Sequence, residues 1–318
     1  MEEAVIGETR SYPGGGPMTV EEIEHELGQL RMDEEGSVGL RASVLNLIVV
    51  TDEESAPQVT EEVSRLAGRY PARAILLISD PEEEEPHLDV QLSAFCNVRG
   101  GGAPGVQSTQ VCAEQITVHA EGPPAEHLES IAGPLLIPDL PIFLWYPGGF
   151  SPLSPEFAGM AGLADRLIID SGASGDDQGC IRELAGMVRR REVPAVGDLQ
   201  WVGLSPWRSL LADVFSPPER TGLLREIDRV EVLHAPDGEC RALLLVGWLA
   251  DTLGWRPESA EADGGREVRF SGPAGAVTVE ITRSSPEATL RRVRLRAGGL
   301  SFQVSRHREA ADARTTVM

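Results

Sequence analysis

Several residue groups in this 318-residue chain have types and spacings that chemistry could use. Gly100, Gly102 and Gly105 spell G-x-G-x-x-G, the loop that cradles a pyrophosphate when a helix begins directly after it. Here Pro104 lies inside the motif and residues 111–118 read as a strand, so the stretch is expected to be a hairpin loop. Glu22 and His25 form one Glu-x-x-His on a helix. Di-iron bundles need that pair twice with two further glutamates, so this pair reads as solvated surface. The six histidines show no metal-like spacing among themselves or with the cysteines. Gly172-Ala173-Ser174-Gly175 departs from the nucleophile elbow. Asp170-Ser171-Gly172 reads as a turn, with an anion-tolerant turn as the alternative. The chain has no lysine, which closes Schiff-base chemistry and leaves anion contacts to arginine, histidine and backbone amides. No catalytic, metal or cofactor set is expected.

What remains are aromatic and arginine clusters. The first closes the stretch Gly133–Tyr146, which three prolines cut into short extended pieces. A stiff loop carrying Asp139 should feed a buried strand that ends in Trp145 and Tyr146 and stops at Pro147-Gly148-Gly149. Either this is a plain core strand, or the two aromatics end at a surface that something else uses. The second cluster joins Asp198-Leu199-Gln200-Trp201 to Leu204-Ser205-Pro206-Trp207-Arg208. Ser205 with Pro206 reads as N-cap and first helical position. Trp201 and Trp207 are either core or, with Arg208, an interface anchor.

Repeated α/β elements must hold the first cluster. Val44–Val50 is an almost unbroken run of Val, Leu and Ile, as a strand buried on both faces requires. Asp52–Arg69 reads as a helix and Ala72–Ile78 as the next strand, a βαβ unit. Strands follow at Leu88–Val98 and Gln110–His119, helices at Ala125–Ile131, Pro155–Leu163 and Cys180–Arg191, and a strand at Arg166–Asp170. Thr19 with Glu22 makes a capping box for an acidic helix over 20–32, and residues 1–17 read as disordered. The loops at Ser79-Asp80, Asp139 and Asp170-Ser171 are expected at the C-terminal ends of parallel strands, where open α/β sheets bind ligands.

From Val193 the character changes. A helix runs from Ser205 to Phe215, a strand covers Val230–Leu233, and an apolar helix over Arg241–Leu253 stops at Gly254. Residues 257–266 read as a polar loop, and strands follow at Ala276–Thr282, Thr289–Leu295 and Leu300–Ser305. On the middle strand Arg292, Arg294 and Arg296 share one face, awaiting either the protein's own carboxylates or an acidic partner. The expectation is an α/β domain over 1–195 with a mostly parallel or mixed sheet, then a smaller α+β domain over 196–318.

A formal charge of −22 argues against binding nucleic acid or an anionic membrane through bulk electrostatics. The N-terminus lacks a secretory pattern, and the longest apolar run, Ala242–Ala250, is too short to span a bilayer, so a cytoplasmic protein is expected. Cys96, Cys112, Cys180 and Cys240 should then be reduced and buried, with a Cys96–Cys112 pair left open if their strands are neighbours.

Six blocks carry a resemblance. They are Arg41–Leu47, Cys112–Ile116, Pro134–Pro141 with Leu144-Trp145, Ala164–Arg166, Asp198–Trp201 with Pro206–Arg208, and Gly247–Ala250 with Leu253–Trp255. In this order they resemble the glucose-6-phosphate dehydrogenase assembly protein (OpcA) family. Tyr146 stands where that pattern often has a second tryptophan. The resemblance implies a non-enzymatic partner that binds glucose-6-phosphate dehydrogenase, favours its active oligomer and so raises flux into the oxidative pentose phosphate pathway. It supplies no catalytic residues. Asp139, Trp145, Tyr146, Trp201, Trp207 and Arg208 are expected in or directly behind the contact surface. The rival expectation is a sugar-phosphate- or nucleotide-binding α/β enzyme using Ser79, Asp80, Asp170 and Ser171 with an arginine clamp.

Overall fold

The structure, a computed structural model, describes residues 7–12, 16–32, 40–41, 43–67, 69–99, 109–148, 155–173, 175–262, 266–284, 289–306 and 313–317. The chain divides into two compact units, residues 1–170 with 182–197 and residues 171–181 with 198–318.

The first unit is an α/β layer structure. Its strands are β1 (Gly7–Tyr12), β2 (Leu40–Arg41), β3 (Asn46–Thr51), β4 (Arg73–Asp80), β5 (His87–Arg99), β6 (Thr109–Glu121), β7 (Ile142–Tyr146), β8 (Arg166–Ile169) and β9 (Ala195–Asp198). They pair in the order β1-β5-β6-β4-β3-β7-β8-β9, with β2 on β6. The neighbours from β6 through β4, β3 and β7 to β8 are parallel, whereas β1 and β5 are antiparallel additions, so the sheet is mixed. Its helices are α1 (Val20–Leu30), α2 (Ala56–Ala67), α3 (Leu128–Ala132), α4 (Pro155–Leu163) and, from Arg182 on, α5 (Asp177–Arg190).

The strand period of two sorts the core. Ile48, Val50, Ile75 and Leu77 face α1, α3 and α4 through Ile23, Leu27, Leu128, Phe157 and Met160. Leu47, Val49, Leu76 and Ile78 face α2 through Val59 and Val63. All of β3 is buried, as the apolar run Leu47–Val50 at its centre requires. Thr19 and Glu22 form the expected capping box at α1.

A buried ion network closes one end of this core. The Arg73 guanidinium donates to Glu114 at 3.0 and 2.7 Å, to Glu24 and to the Leu135 carbonyl at 3.1 Å. Arg31 reaches the other Glu114 oxygen at 2.9 Å. With Arg73 and Glu114 each only 1% exposed, the pair is tolerable because every charge has an opposite partner.

Three expectations change in this unit. Residues 7–12, read as disordered, form β1 on the edge of β5, where exposed ladder groups accept a strand of unremarkable composition. The Asp139 loop enters β7, so it lies at the N-terminal edge of the parallel sheet and not at the C-terminal one. Cys96 and Cys112 sit directly opposite on β5 and β6 and are disulfide-bonded, whereas Cys180 and Cys240 are buried outside any disulfide.

The second unit is α+β. Helices α6 (Leu199–Gly203), α7 (Ser205–Phe215), α8 (Pro218–Thr221) and α9 (Glu239–Leu253) accompany strands β10 (Ile227–His234), β11 (Arg256–Ala262), β12 (Arg266–Gly272), β13 (Gly275–Arg283), β14 (Leu290–Ala297), β15 (Leu300–Arg306) and β16 (Ala313–Val317). The order is β11-β12-β13-β10-β14-β15-β16; β10 and β13 pair in parallel and the other neighbours are antiparallel. Leu211, Val214 and Phe215 of α7 and Leu245 and Leu249 of α9 pack on Val230, Val232, Val293 and Leu295 of the sheet. Gly254 ends α9 at φ 69°, a left-handed cap that a residue without Cβ adopts freely.

On the opposite sheet face Arg296 grips Asp228 at 2.8 and 3.0 Å, and Arg294 meets Glu231 at 3.4 Å and Gln303 at 3.0 Å. The protein's own carboxylates therefore neutralise these two arginines of the stripe. Residues 257–266, read as a loop, belong largely to the antiparallel pair β11 and β12. Edge strands need few apolar residues, which is why they read as polar loop.

Candidate functional site

The α6–α7 elbow of the second unit is built by its short-range polar groups. Asp198 Oδ1 accepts the Gln200 N–H at 3.0 Å and caps α6. The other Asp198 oxygen accepts from the buried Ser171 hydroxyl at 2.7 Å. Gln200 is buried, and its side-chain oxygen accepts from Arg241 of α9 at 2.6 Å. Gly203 lets Arg241 pass: a Cβ there would come within 3.0 Å of the guanidinium carbon. Asp198-Leu199-Gln200-Trp201 is thus a helix cap and anchor, and it fixes where Trp201 points.

Leu204 continues from α6 with helical dihedrals, so Ser205 is already inside α7 and does not cap it with its side chain. Ser205 Oγ instead accepts from Arg208 Nη2 at 3.1 Å. That contact holds the guanidinium over the Trp201 ring, 3.7 Å from the ring centroid. Such a cation–π stack fixes a side chain that otherwise samples many rotamers. Trp207 is 8% exposed and belongs to the core beneath the elbow.

Leu199 and Val202 are 40% and 59% exposed. They stand three apart on α6 and so share one helix face. Sequence reading misses both, because its pattern assigns no helix before Ser205. The available signal is the Asp198 cap followed by apolar residues three positions apart.

The proline loop of the first unit is organised differently. Asn46, the one polar residue in β3's apolar run, is fully buried. Its side chain donates to the carbonyls of Ile137 at 3.0 Å and Leu140 at 3.4 Å and accepts the Ile137 N–H at 2.9 Å. Asp139 is exposed at φ 64°, a left-handed conformation that aspartate tolerates better than most residues. Trp145 packs with the α2 side of the sheet and Tyr146 with the α4 side, 5.5 Å from the Phe157 ring. Both are less than 10% exposed. They lie in the core, behind a surface and not in it. Burial, then the carboxylate of Glu156, pushes the Tyr146 phenol well above its ordinary value. The structure gathers Trp201, Trp207 and Arg208 at one elbow, and it places Asp139, Trp145 and Tyr146 at three separate positions of the other unit.

Two of the residues named for an enzyme, Ser171 and Asp80, are engaged otherwise. Ser171 is fully buried, with its hydroxyl between Asp198 and Cys240 Sγ at 2.8 Å. Asp80 accepts the Glu82 N–H at 3.0 Å and leads into the acidic residues 82–85, an unfavourable place for phosphate. Gly100, Gly102 and Gly105 lie outside the described residues. Among the described residues no three His, Cys, Asp or Glu side chains converge as a metal site would need, and no helix is long and apolar enough to cross a membrane.

Two family models match this chain, over residues 63–186 and residues 194–313. They describe, in that order, the N-terminal domain and the C-terminal domain of a glucose-6-phosphate dehydrogenase subunit. Proteins named OxPP cycle protein OpcA are similar: one from Nostoc punctiforme is 32% identical over 66% of this chain, and one from Synechocystis sp. is 30% identical over 65%. In both cases the match spans 43% of the relative's own length. Among solved structures, a 3-ketoreductase from Actinomadura kijaniata aligns over 86% of this chain and 84% of its own at 13% identity, with a TM-score of 0.46, a likeness too loose to bear on activity. Together the two matches cover most of the chain, in the order of the two domains, and the chain belongs to the OpcA family.

Proposed function

We propose that this protein is a non-enzymatic, cytoplasmic partner of glucose-6-phosphate dehydrogenase that docks through the α6–α7 elbow and favours the enzyme's active oligomer. The observation that carries this reading is the Arg208–Trp201 stack at 3.7 Å on an elbow that also exposes Leu199 and Val202. Aromatic and arginine side chains that are already ordered have the composition of binding hot spots. Asp139 serves as a second contact at the proline loop, and Trp145, Tyr146 and Trp207 stiffen the elements behind the two surfaces. Activation then arises from differential affinity: the partner holds the active state of the enzyme more tightly than the inactive one. A coupling of about 1–3 kcal/mol gives an effect of roughly 5–150-fold.

The test follows the dehydrogenase of the same organism by cofactor reduction across substrate concentrations, with co-elution on a sizing column. The wild type should co-elute and lower the substrate requirement or raise turnover. Arg208→Ala and Val202→Glu should each weaken activation by about tenfold or more, corresponding to at least ~1.4 kcal/mol, with unchanged circular dichroism. Folded variants that activate like the wild type would remove the elbow from the interface. A wild-type protein that neither co-elutes nor activates would end the partner reading altogether.

A further inference from the structure

We propose that the second unit binds a neutral, apolar, ring-bearing small molecule in a cavity between α7, α9 and the sheet. The cavity has a volume of about 320 Å³. That lies at the lower end of the roughly 300–1,000 Å³ of pockets that hold drug-sized ligands. Its floor is core: Leu211, Phe215, Leu249 and Leu295 line it and are at most 5% exposed. Its mouth is formed by exposed Ala212 and Thr252, with the Trp248 indole in the wall.

The chemistry of the lining selects the class of guest. Among the described residues no charged side chain lines the cavity. Two of its hydroxyls are already committed, Ser216 Oγ to the Ala212 carbonyl at 3.1 Å and Thr221 Oγ1 to the Phe215 carbonyl at 3.1 Å. A phosphate, a nucleotide or a sugar would enter without partners for its polar atoms and would be rejected. An apolar molecule meets the opposite situation. It displaces water that apolar walls hold poorly and gains dispersion contacts in its place. The Phe215 and Trp248 rings add faces and edges against which a flat ring can pack. Neither Trp201 nor Arg208 lines the cavity, so this site stands independently of the docking elbow.

The probe is N-phenyl-1-naphthylamine, a neutral fluorophore whose emission rises in apolar surroundings, titrated into the full chain. Saturable binding is expected, with energy transfer from tryptophan reduced in Trp248→Phe. Thr252→Leu and Ala212→Phe each place carbon in the mouth and should weaken binding by about tenfold or more while the melting temperature holds or rises. If Ala212→Phe fails to fold, Thr252→Leu, at an exposed position, decides. An absence of saturable binding, or unchanged affinity in the folded filled variant, overturns the proposal. Displacement of the probe by one equivalent of the dehydrogenase also overturns it, because the cavity would then receive a partner's apolar side chain.

Discussion

Arg208 illustrates how little a residue's identity says until its contacts are known. In sequence it is one arginine of 28 in a chain with no lysine. In the fold it is stacked on Trp201 and held by Ser205, so its orientation is set before any partner arrives. Glu156 makes a complementary point about charge. Burial, and then the carboxylate of Glu129, holds its carboxyl above the ordinary range. A carboxyl raised in this way favours the fold while protonated. That benefit is full below the unfolded pKa and is lost as pH rises through the folded one. Glu156→Gln should therefore melt higher than the wild type at neutral pH and close to it near about pH 4, where the unfolded carboxyl is itself largely protonated. Melting curves that stay superimposed at both pH values would show that Glu156 lies effectively in solvent.

At the scale of elements, the proline loop depends on a residue far from it in sequence. Asn46 holds Ile137 and Leu140 through three side-chain hydrogen bonds from inside β3. Asn46→Ala should cost about 2–3 kcal/mol, because it strands buried backbone groups as well as deleting bonds. The loop should also become a site of limited proteolysis. A melting temperature within a degree of wild type and an unchanged digestion pattern would contradict this. The same residue shows where sequence reading stops. The apolar run and its interruption by Asn46 were plain, but the purpose of the interruption depends on a contact about ninety residues away. Regular, long elements were legible because their apolar period spans several turns or a whole strand: the βαβ unit, the β5–β6 pair, α7 and α9. Some short or edge elements were not. Helix α6 has five residues, β1 and β11 lie at sheet edges, and their patterns carry little apolar signal. Part of the site followed the same rule. Trp201, Trp207 and Arg208 were named from composition, but Leu199 and Val202 needed a helix too short to announce itself.

At the scale of the whole molecule, the two sheets manage charge in the same way. Each places arginine against carboxylate within one unit: Arg73 with Glu114 and Glu24 in the first, Arg296 with Asp228 and Arg229 with Glu280 in the second. The acidic excess left over acts as like charge that opposes self-association. Because every such pair uses a guanidinium, which stays charged in proteins, alkali does not take the basic partner from these pairs. A lysine-based set would begin to fail near about pH 10. The buried phenol of Tyr146 is one of the groups through which alkali then acts on the fold. Its raised folded value means that stability is complete below the unfolded tyrosine value of about 10 and declines above it, as the unfolded chain gains an ionisation that the fold resists. Tyr146→Phe should accordingly flatten the loss of stability between about pH 10 and pH 11.5, read as melting temperature against pH, and a slope unchanged from wild type would place the limit elsewhere. A protein without lysine thus meets strong base at buried groups of its core, this tyrosine among them, with its ion pairs still intact.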